Sequence, residues 1–391
     1  MVLIRVAVFA GLFPPAFRGG GPIRSVDAMV RSAPADLEVF VLTADRDLGG
    51  PGPLPVQANE WLNQDRASIY YATLSSPIRL LRGLRSLRAK RPRLLHFNSF
   101  FTPHLTILPL LLLRVGFWGR PVTLLAPRGE FGDGALSRRA WKKRLYIRVF
   151  RILRLHRSVI WHSTATHETD AIRAMWGSNA QIVYRENDTL LPPTALPPVH
   201  NDSGALRAIY LSRIVEHKGL HIVLEALRDS RSTLVFDIYG SPEDEEYAQR
   251  CEAVARSLPS NITVTFHGTI KPEGVRDVLA NHDVLLMPTA GENFGHVVAE
   301  ALSVSCAVVT TPKTPWTGVL QGGAGFVVDR NVEDWRVAIE SLARLDPACL
   351  IQLRQAAGDS YTLWASRPRA PHVWQLALEL LTPRLTGSET V

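Results

Sequence analysis

Cysteine is scarce in this sequence: three residues in 391, Cys251, Cys306 and Cys349, all in the C-terminal half and none in CxxC spacing. That argues against a disulfide framework and against a zinc cluster, and it fits a reducing cytoplasm. Long apolar runs are missing too. The most apolar stretch, Leu105–Leu113, is far below the ~20 residues a spanning helix needs, and Pro109 interrupts it. The opening MVLIRVAVFAG is short, contains Arg5 and has no cleavage-type flank, so it reads as a buried first strand rather than a targeting segment. No P-loop, HExxH or GxSxG motif occurs. What remains, at 46% hydrophobic and 20% charged residues, is a globular protein long enough for two domains.

Acidic residues are also absent from much of the first half. None lies between Asp65 and Glu130, or between Asp133 and Glu168. Residues 1–187 therefore carry a net +15 and residues 188–391 a net −7, within a total of +8. Halves of opposite sign argue for two units with different partners. Arg79, Arg82, Arg85 and Arg88 recur every third residue, and Lys90, Arg91 and Arg93 follow. Arg138–Arg157 adds nine Lys/Arg around an apolar stripe of Trp141, Leu145, Val149, Ile152 and Leu153. Docking of amphipathic helices on their own domain explains the stripe but not the lack of acids. Anionic lipid headgroups explain both, at about 1 kcal/mol per basic residue near the surface. Peripheral contact with the inner face of the cell membrane is the expectation. Nucleic acid is the rival for any basic face, but no nucleic-acid module is recognisable.

The chain divides most clearly at Asn187–Ala205, where Pro192–Pro193 and Pro197–Pro198 precede an Asn-Asp-Ser-Gly cluster that suits a linker. On each side, short β-rich runs alternate with helical patterns. Expected strands are 4–9, 37–42, 94–97, 122–125 and 159–163, then 207–211, 233–239, 262–267, 284–288 and 307–310. This alternation predicts an α/β fold of two Rossmann-like domains facing a central cleft, with ligands at the carboxyl ends of the strands.

Three motifs follow predicted strands. Phe13–Pro22 holds Gly19–Gly21, where a bare backbone can approach a ligand or simply turn, and its spacing is not GxGxxG. Leu211–Leu220 places Arg213 and Lys218 five apart across a strand-to-helix turn that Gly219 closes. There a guanidinium fork and an ammonium can both reach a diphosphate. Met287–Glu300, MPTAGENFGHVVAE, carries most information. It sets Glu292 and Glu300 eight residues apart, ~12 Å at helical rise, with a helix start between them. Carboxylates accept hydrogen bonds from sugar hydroxyls, so two that bracket an anion site describe a nucleotide-sugar pocket.

Arg213 and Lys218 in RIVEHKGL, the GENFGHVVAEAL block and the later TPKTPWTGV together resemble the retaining glycosyltransferases of family 4, the group 1 type with the GT-B fold. The glutamate pair matches that family's E-x7-E motif. The resemblance is strong over Ile209–Trp316 and weaker over the N-terminal half. It implies an acceptor-binding domain over 1–187, a linker over 188–205, a nucleotide-sugar domain over 206–363, and a 364–391 segment that packs back on the first domain. It further implies that Arg213 and Lys218 bind the donor diphosphate and stabilise the departing nucleotide. Glu292 would hold the sugar hydroxyls, with Asn293, Phe294 and Gly295 assisting through their amides, and Glu300 would hold the ribose. Thr269 and Ile270, in HGTI, would meet the base, and Gly20 and Gly21 would close over the phosphate. No cofactor or metal is implied, since the nucleoside diphosphate sugar is a substrate and the partner is a sugar or lipid-linked acceptor.

The sequence departs from the family after the fourth main strand of the first half. Many members place a His there, whereas here Leu125–Phe131 reads LAPRGEF, so Arg128 and Glu130 occupy the region. PRG before a basic helix resembles a subgroup linked to surface polysaccharides. His96 and His104, in HFNSFFTPH, are the remaining acceptor-side candidates, one lining the cleft and one packing. Asp45-Arg46-Asp47 formally matches a metal-binding DxD but lies in a Gly/Pro-rich loop and reads as a polar turn. Two other functions stay open: an epimerase or hydrolase using the same donor pocket, and a non-catalytic membrane-binding protein relying on the basic half.

Overall fold

The computed structural model describes residues 3–132, 136, 140–200 and 204–380. Its contacts divide the chain into two units, one from the N-terminus to Thr189 rejoined from Arg369 onward, the other Leu190–Pro368. Trp364, expected to open the returning segment, instead packs against Phe294 and Trp316 in the second unit. The return starts five residues later.

The first domain is built on an eight-stranded sheet. Its strands are β1 (Ile4–Ala10), β2 (Leu37–Ala44), β3 (Trp61–Gln64), β4 (Ala67–Ala72), β5 (Leu94–Asn98), β6 (Val122–Ala126), β7 (Ile160–Ser163) and β8 (Ile182–Tyr184). They lie in the order β3-β4-β2-β1-β5-β6-β7-β8, all parallel except the β3–β4 pair. The central strands are buried on both faces, which is why Val6–Ala10 reads as an unbroken apolar run and Val122–Ala126 is interrupted only by Thr123. Sequence periodicity missed β3, β4 and β8. β3 is a polar edge strand of four residues, and β8 has three.

The second domain repeats the plan with six parallel strands: β9 (Leu206–Leu211), β10 (Leu234–Tyr239), β11 (Ile262–Gly268), β12 (Val284–Met287), β13 (Ala307–Thr310) and β14 (Gly325–Val327). Their order is β11-β10-β9-β12-β13-β14. The direction of winding reverses between β9 and β12, so the loops leaving those two strands diverge and leave room for a ligand. Every main motif of this half lies on one of them.

A buried ion pair anchors the last long helix, Pro347–Ala365, beneath that sheet. Arg354 and Asp283 are both fully buried and meet at 3.0 Å. Arg354 also donates to the carbonyls of Ser305, Ala280 and Val199, tying the linker to the domain.

Candidate active site

The loop after β9 runs from Ser212 to Lys218, and the loop after β12 from Pro288 to Gly295. They are stitched together by backbone. The Ala290 N–H donates to the His217 carbonyl at 2.8 Å. At Gly219, φ is +76° and a Cβ would lie 2.2 Å from the Pro288 carbonyl oxygen, so only glycine fits where the loops cross. Arg330 bridges both, donating to the carbonyls of Pro288 (3.0 Å) and Glu216 (2.9 Å). Neither Arg330 nor its role was visible in the sequence, since 114 residues separate it from Glu216.

This stitching brings Lys218 and Glu292 into direct contact: Lys218 Nζ donates to Glu292 Oε1, with the two side chains only 12% and 16% exposed. Arg213 meets a carboxylate that the sequence did not point to. Its Nη1 lies 2.6 Å from Glu243 Oε2, in the loop after β10. Each cation of the expected clamp thus rests on an anion. His217 sits between them, and burial, aided by the Lys218 and Arg213 charges, pushes its pKa down to about 4. It is therefore neutral at pH 7 and can accept or donate without adding charge.

Beyond Glu292 the chain turns through Gly295, φ +75°, into helix His296–Leu302. Glu300 is buried in that helix, one side of which packs in the apolar core. Phe294 is fixed from behind, its carbonyl accepting from the Trp316 indole and its ring set edge-on to Trp316. The TPKTPW segment thus braces the loop that carries Glu292, and the Lys313 carbonyl accepts from the Glu292 N–H at 3.0 Å. Thr269 and Ile270 follow β11. Ile270 packs on the same core face as Tyr239, whose ring stacks on His267 at 4.4 Å. Asp237 holds His267 on one carboxylate oxygen and His282 on the other.

The first domain uses its candidates differently. Gly20, φ +69°, precedes helix Gly21–Arg31, and the Asp47 carboxylate braces the loop before it by accepting from the Phe17 (2.9 Å) and Arg18 (3.2 Å) amides. Asp45 accepts from Thr73, so both acids of the DxD-like triplet are bonded to neighbouring segments of the same domain. His96 does not face open space. It is fully buried between His162 (3.2 Å) and the Trp374 indole (3.0 Å). Glu130 accepts from Ser99 Oγ and from the Phe100 and Phe101 amides, holding the loop after β5. Burial raises its pKa. Arg128 lies among the side-chain oxygens of Asn98 and Asn187, and burial pushes it down to about 10. His104 is exposed on the loop after β5.

The matching of known proteins falls on the second domain. Residues 197–358 match the family model described as glycosyl transferases group 1. These residues resemble the group 1 glycosyltransferases. A D-inositol 3-phosphate glycosyltransferase of Rhodococcus opacus is 29% identical over 157 residues, 38% of this chain and 35% of its own length. The capsular polysaccharide biosynthesis glycosyltransferase CapM of Staphylococcus aureus is 27% identical over 143 residues, 35% of each chain. The chain thus spans about a third of the length of these two curated relatives. Two solved structures align over nearly everything. Sucrose-phosphate synthase from Thermosynechococcus elongatus has a TM-score of 0.71 at 16% identity, covering 96% of this chain and 97% of its own. Anabaena HepE in complex with UDP and glucose has a TM-score of 0.69 at 12% identity, covering 96% and 99%. At such identities the likeness shows the fold, two Rossmann-like domains of the GT-B type. Arg213, Lys218, Glu292 and Glu300 all lie within the matched residues.

Proposed function

We propose that the chain is a retaining, family 4 hexosyltransferase. It moves a sugar from a nucleoside diphosphate donor to a hydroxyl of a sugar or lipid-linked acceptor, in the assembly of cell-surface polysaccharide or glycolipid on the cytoplasmic side of the membrane. The observation that carries this reading is the Lys218–Glu292 contact at the strand reversal of the group 1 domain. A cation for phosphate and a carboxylate for sugar hydroxyls stand side by side, on two loops that glycine and Arg330 hold in register.

In this mechanism the diphosphate takes Lys218 and Arg213, and Glu292, released from Lys218, accepts from the sugar hydroxyls. The two cations stabilise the charge that develops on the leaving diphosphate as the glycosidic bond breaks, which is where electrostatic catalysis is largest. The acceptor attacks from the face the nucleotide leaves. Its proton passes to the departing phosphate oxygen, so no enzymic base is required. Glu300 serves the ribose from the helix behind. His217, neutral at pH 7, adds a hydrogen-bonding group beside the phosphates without repelling Lys218.

A membrane-bound acceptor is supported by helix Ala140–Ile152 of the first domain. Its inward face is Tyr146, Ile147 and Phe150. Trp141 (67% exposed), Leu145, Val149 and Ile152 (69%) form a second apolar stripe open to solvent, flanked by Lys142, Arg144, Arg148 and Arg151. An exposed apolar stripe between cations suits an anionic lipid surface. Arg138 and Arg139 belong to the same basic segment but lie outside the described residues. No helix among the described residues is long and apolar enough to cross a membrane.

The deciding experiment is a thermal-shift screen with UDP, GDP, ADP and their sugars. A true donor product at 100 times its Kd adds about 2.7 kcal/mol of stability. No shift with any nucleotide overturns the reading. Full-rate consumption of donor without acceptor would favour the epimerase or hydrolase reading instead.

A further inference from the structure

A wide-mouthed hollow of about 530 Å³ opens in the first domain, lined by Arg114, Arg120, Arg154 and Arg157 with Leu113 and Ser158 beside them. Arg120 leads into β6, and Arg157–Ser158 leads into β7. The hollow therefore lies at the amino ends of those strands. The loops that carry Gly20 and Arg128 follow strands, at the opposite edge of the sheet, so the hollow is no part of the acceptor region considered above.

Four exposed arginines line this one space, and guanidinium groups gathered there repel one another unless something anionic joins them. Arg114 is partly used: it donates to the Leu153 carbonyl and closes the end of helix Ala140–Ile152. Arg120, Arg154 and Arg157 have no side-chain hydrogen bond or ion pair among the described residues. No acidic residue in 66–129 or 134–167 is available from the flanking sequence. Arg154 is held with φ +50°, a conformation uncommon outside glycine, asparagine and aspartate. The volume is that of a small-molecule site, about 300–1,000 Å³.

We propose that this hollow is a phosphate site, taking a terminal phosphomonoester or diphosphate group carried by a lipid headgroup or by a soluble phosphate. A terminal phosphate offers three acceptor oxygens and nearly two negative charges, which arginine forks engage two bonds at a time. A phosphodiester, with one charge and two free oxygens, fills the same space less well. The exposed Val115 and Ile152 lie next to Arg114 and close to Arg154 in the chain, so a headgroup seated here brings its acyl chains toward apolar side chains. The site would hold or report the phosphate without occupying the transfer site.

The test compares the parent protein with an Arg120→Gln/Arg154→Asn/Arg157→Gln variant. Asn is chosen because it tolerates the left-handed conformation, and Arg114 is kept because it caps a helix. Both proteins carry Arg213→Ala and Lys218→Ala, so that added pyrophosphate does not report the second-domain clamp. Binding is measured to phosphatidate vesicles, to phosphatidylglycerol vesicles of matched surface charge, and to pyrophosphate, after thermal melts show that both proteins fold. A phosphatidate preference over phosphatidylglycerol that falls roughly tenfold in the variant supports the site and assigns it to a lipid. Pyrophosphate binding that is lost in the variant, without a vesicle preference, supports the site and assigns it to a soluble phosphate. The proposal is overturned if the parent shows neither, or if the variant keeps what the parent shows. Phosphatidylglycerol binding that depends on Trp141 and Lys142 tests the membrane helix separately, so either reading can fail alone.

Discussion

The two domains satisfy their buried polar groups in opposite ways. In the second, opposite charges meet: Arg354 with Asp283 and Lys218 with Glu292 inside, and Arg213 with Glu243 nearer the surface. In the first, neutral dipoles carry most of the load. Arg128 rests on amide oxygens, Glu130 on two amides and a hydroxyl, and Glu168 on the Gly129 and Thr164 amides with the Thr164 hydroxyl. Asp188, bound by Arg185 and Arg369, is an exception. A domain with +15 net charge has few acids to spare for its interior. The difference teaches where each domain is fragile: the second to loss of a charge, the first to gain of one.

The largest effect tests the charge-paired domain at its core. Arg354→Met keeps bulk but takes from Asp283 its fully buried cation, though not Arg207, and strips donors from three carbonyls. Breaking a buried pair from one side costs about 3–5 kcal/mol. Urea unfolding should show that loss. A change below about 1 kcal/mol would mean that the pair is dispensable and the comparison is wrong at its strongest point.

Acid should find the first domain instead. Trp374 Nε1–H can only donate, so His96 accepts at Nδ1, carries its proton at Nε2 and gives it to His162 Nδ1. His162 then donates to the Arg185 carbonyl, and His372 to that of Met29, while His372 Nδ1 accepts from the Trp374 amide. All three must be neutral for these bonds to exist. Burial lowers each pKa, to about 4 for His372, with Arg128 and Arg185 adding to the effect and Asp188 opposing it at His372. A lowered histidine pKa means that the unfolded chain binds more protons. The stability is fully present above about pH 6.5 and is lost as pH falls toward 4, worth roughly 3 kcal/mol for His372. Hydrogen exchange should therefore show amides of Val373–Glu379 opening between pH 6.5 and 4 before those of Pro347–Ala365. Simultaneous opening of both helices would remove the asymmetry.

Much of this was legible in the sequence, and what was not has a common cause. The strands of both sheet centres were readable because burial on two faces writes continuous apolar runs. Arg213, Lys218 and Glu292 stood out as candidates because each sits in the loop that leaves a strand, and Glu300 because it follows Glu292 on the helix that this loop enters. Glu243 and Arg330 did not, because they act on loops 30 and 114 residues away. Which of His96 and His104 packs was hidden for the same reason: the partners of His96, Trp374 and His162, are distant in the chain. Helix Ala140–Ile152 is apolar on two sides, and periodicity does not say which side a protein covers. The structure turns Tyr146 and Phe150 inward and leaves Trp141 outside.

Separating the two glutamates tests whether the clamp's charges do distinct work. Both Glu292 and Glu300 accept hydrogen bonds, so glutamine keeps the shape while weakening a charge-assisted bond worth ~1.5–3 kcal/mol. Glu300→Gln should weaken the free nucleoside diphosphate and the intact donor alike. Glu292→Gln should spare the free nucleotide, since removing its charge also frees Lys218 for phosphate. Its cost should fall on kcat, because the contact sharpens as the sugar becomes cationic. Calorimetry and steady-state kinetics on both variants distinguish these. Equal loss of nucleotide affinity in the two would reverse the assignment of sugar and ribose ends.

The smallest effect concerns Glu243, the anion already seated on Arg213. Diphosphate and Glu243 compete for one guanidinium, and the contact is partly exposed, 34% on the arginine side and 23% on the glutamate side. A pair of that exposure is worth at most about 1 kcal/mol, and screening by salt reduces it. Glu243→Gln should therefore tighten nucleoside diphosphate binding about fivefold at low salt, and less as salt rises. The same change should not raise kcat, because Arg213 would hold the ground-state diphosphate more tightly as well as the departing one, and uniform binding gains no rate. Calorimetry with the nucleotide at two ionic strengths reads the first expectation, and saturating kinetics the second. Weaker binding in Glu243→Gln would show that Glu243 serves to aim the arginine rather than to compete for it, and that charge pairing in this domain is positioning rather than restraint.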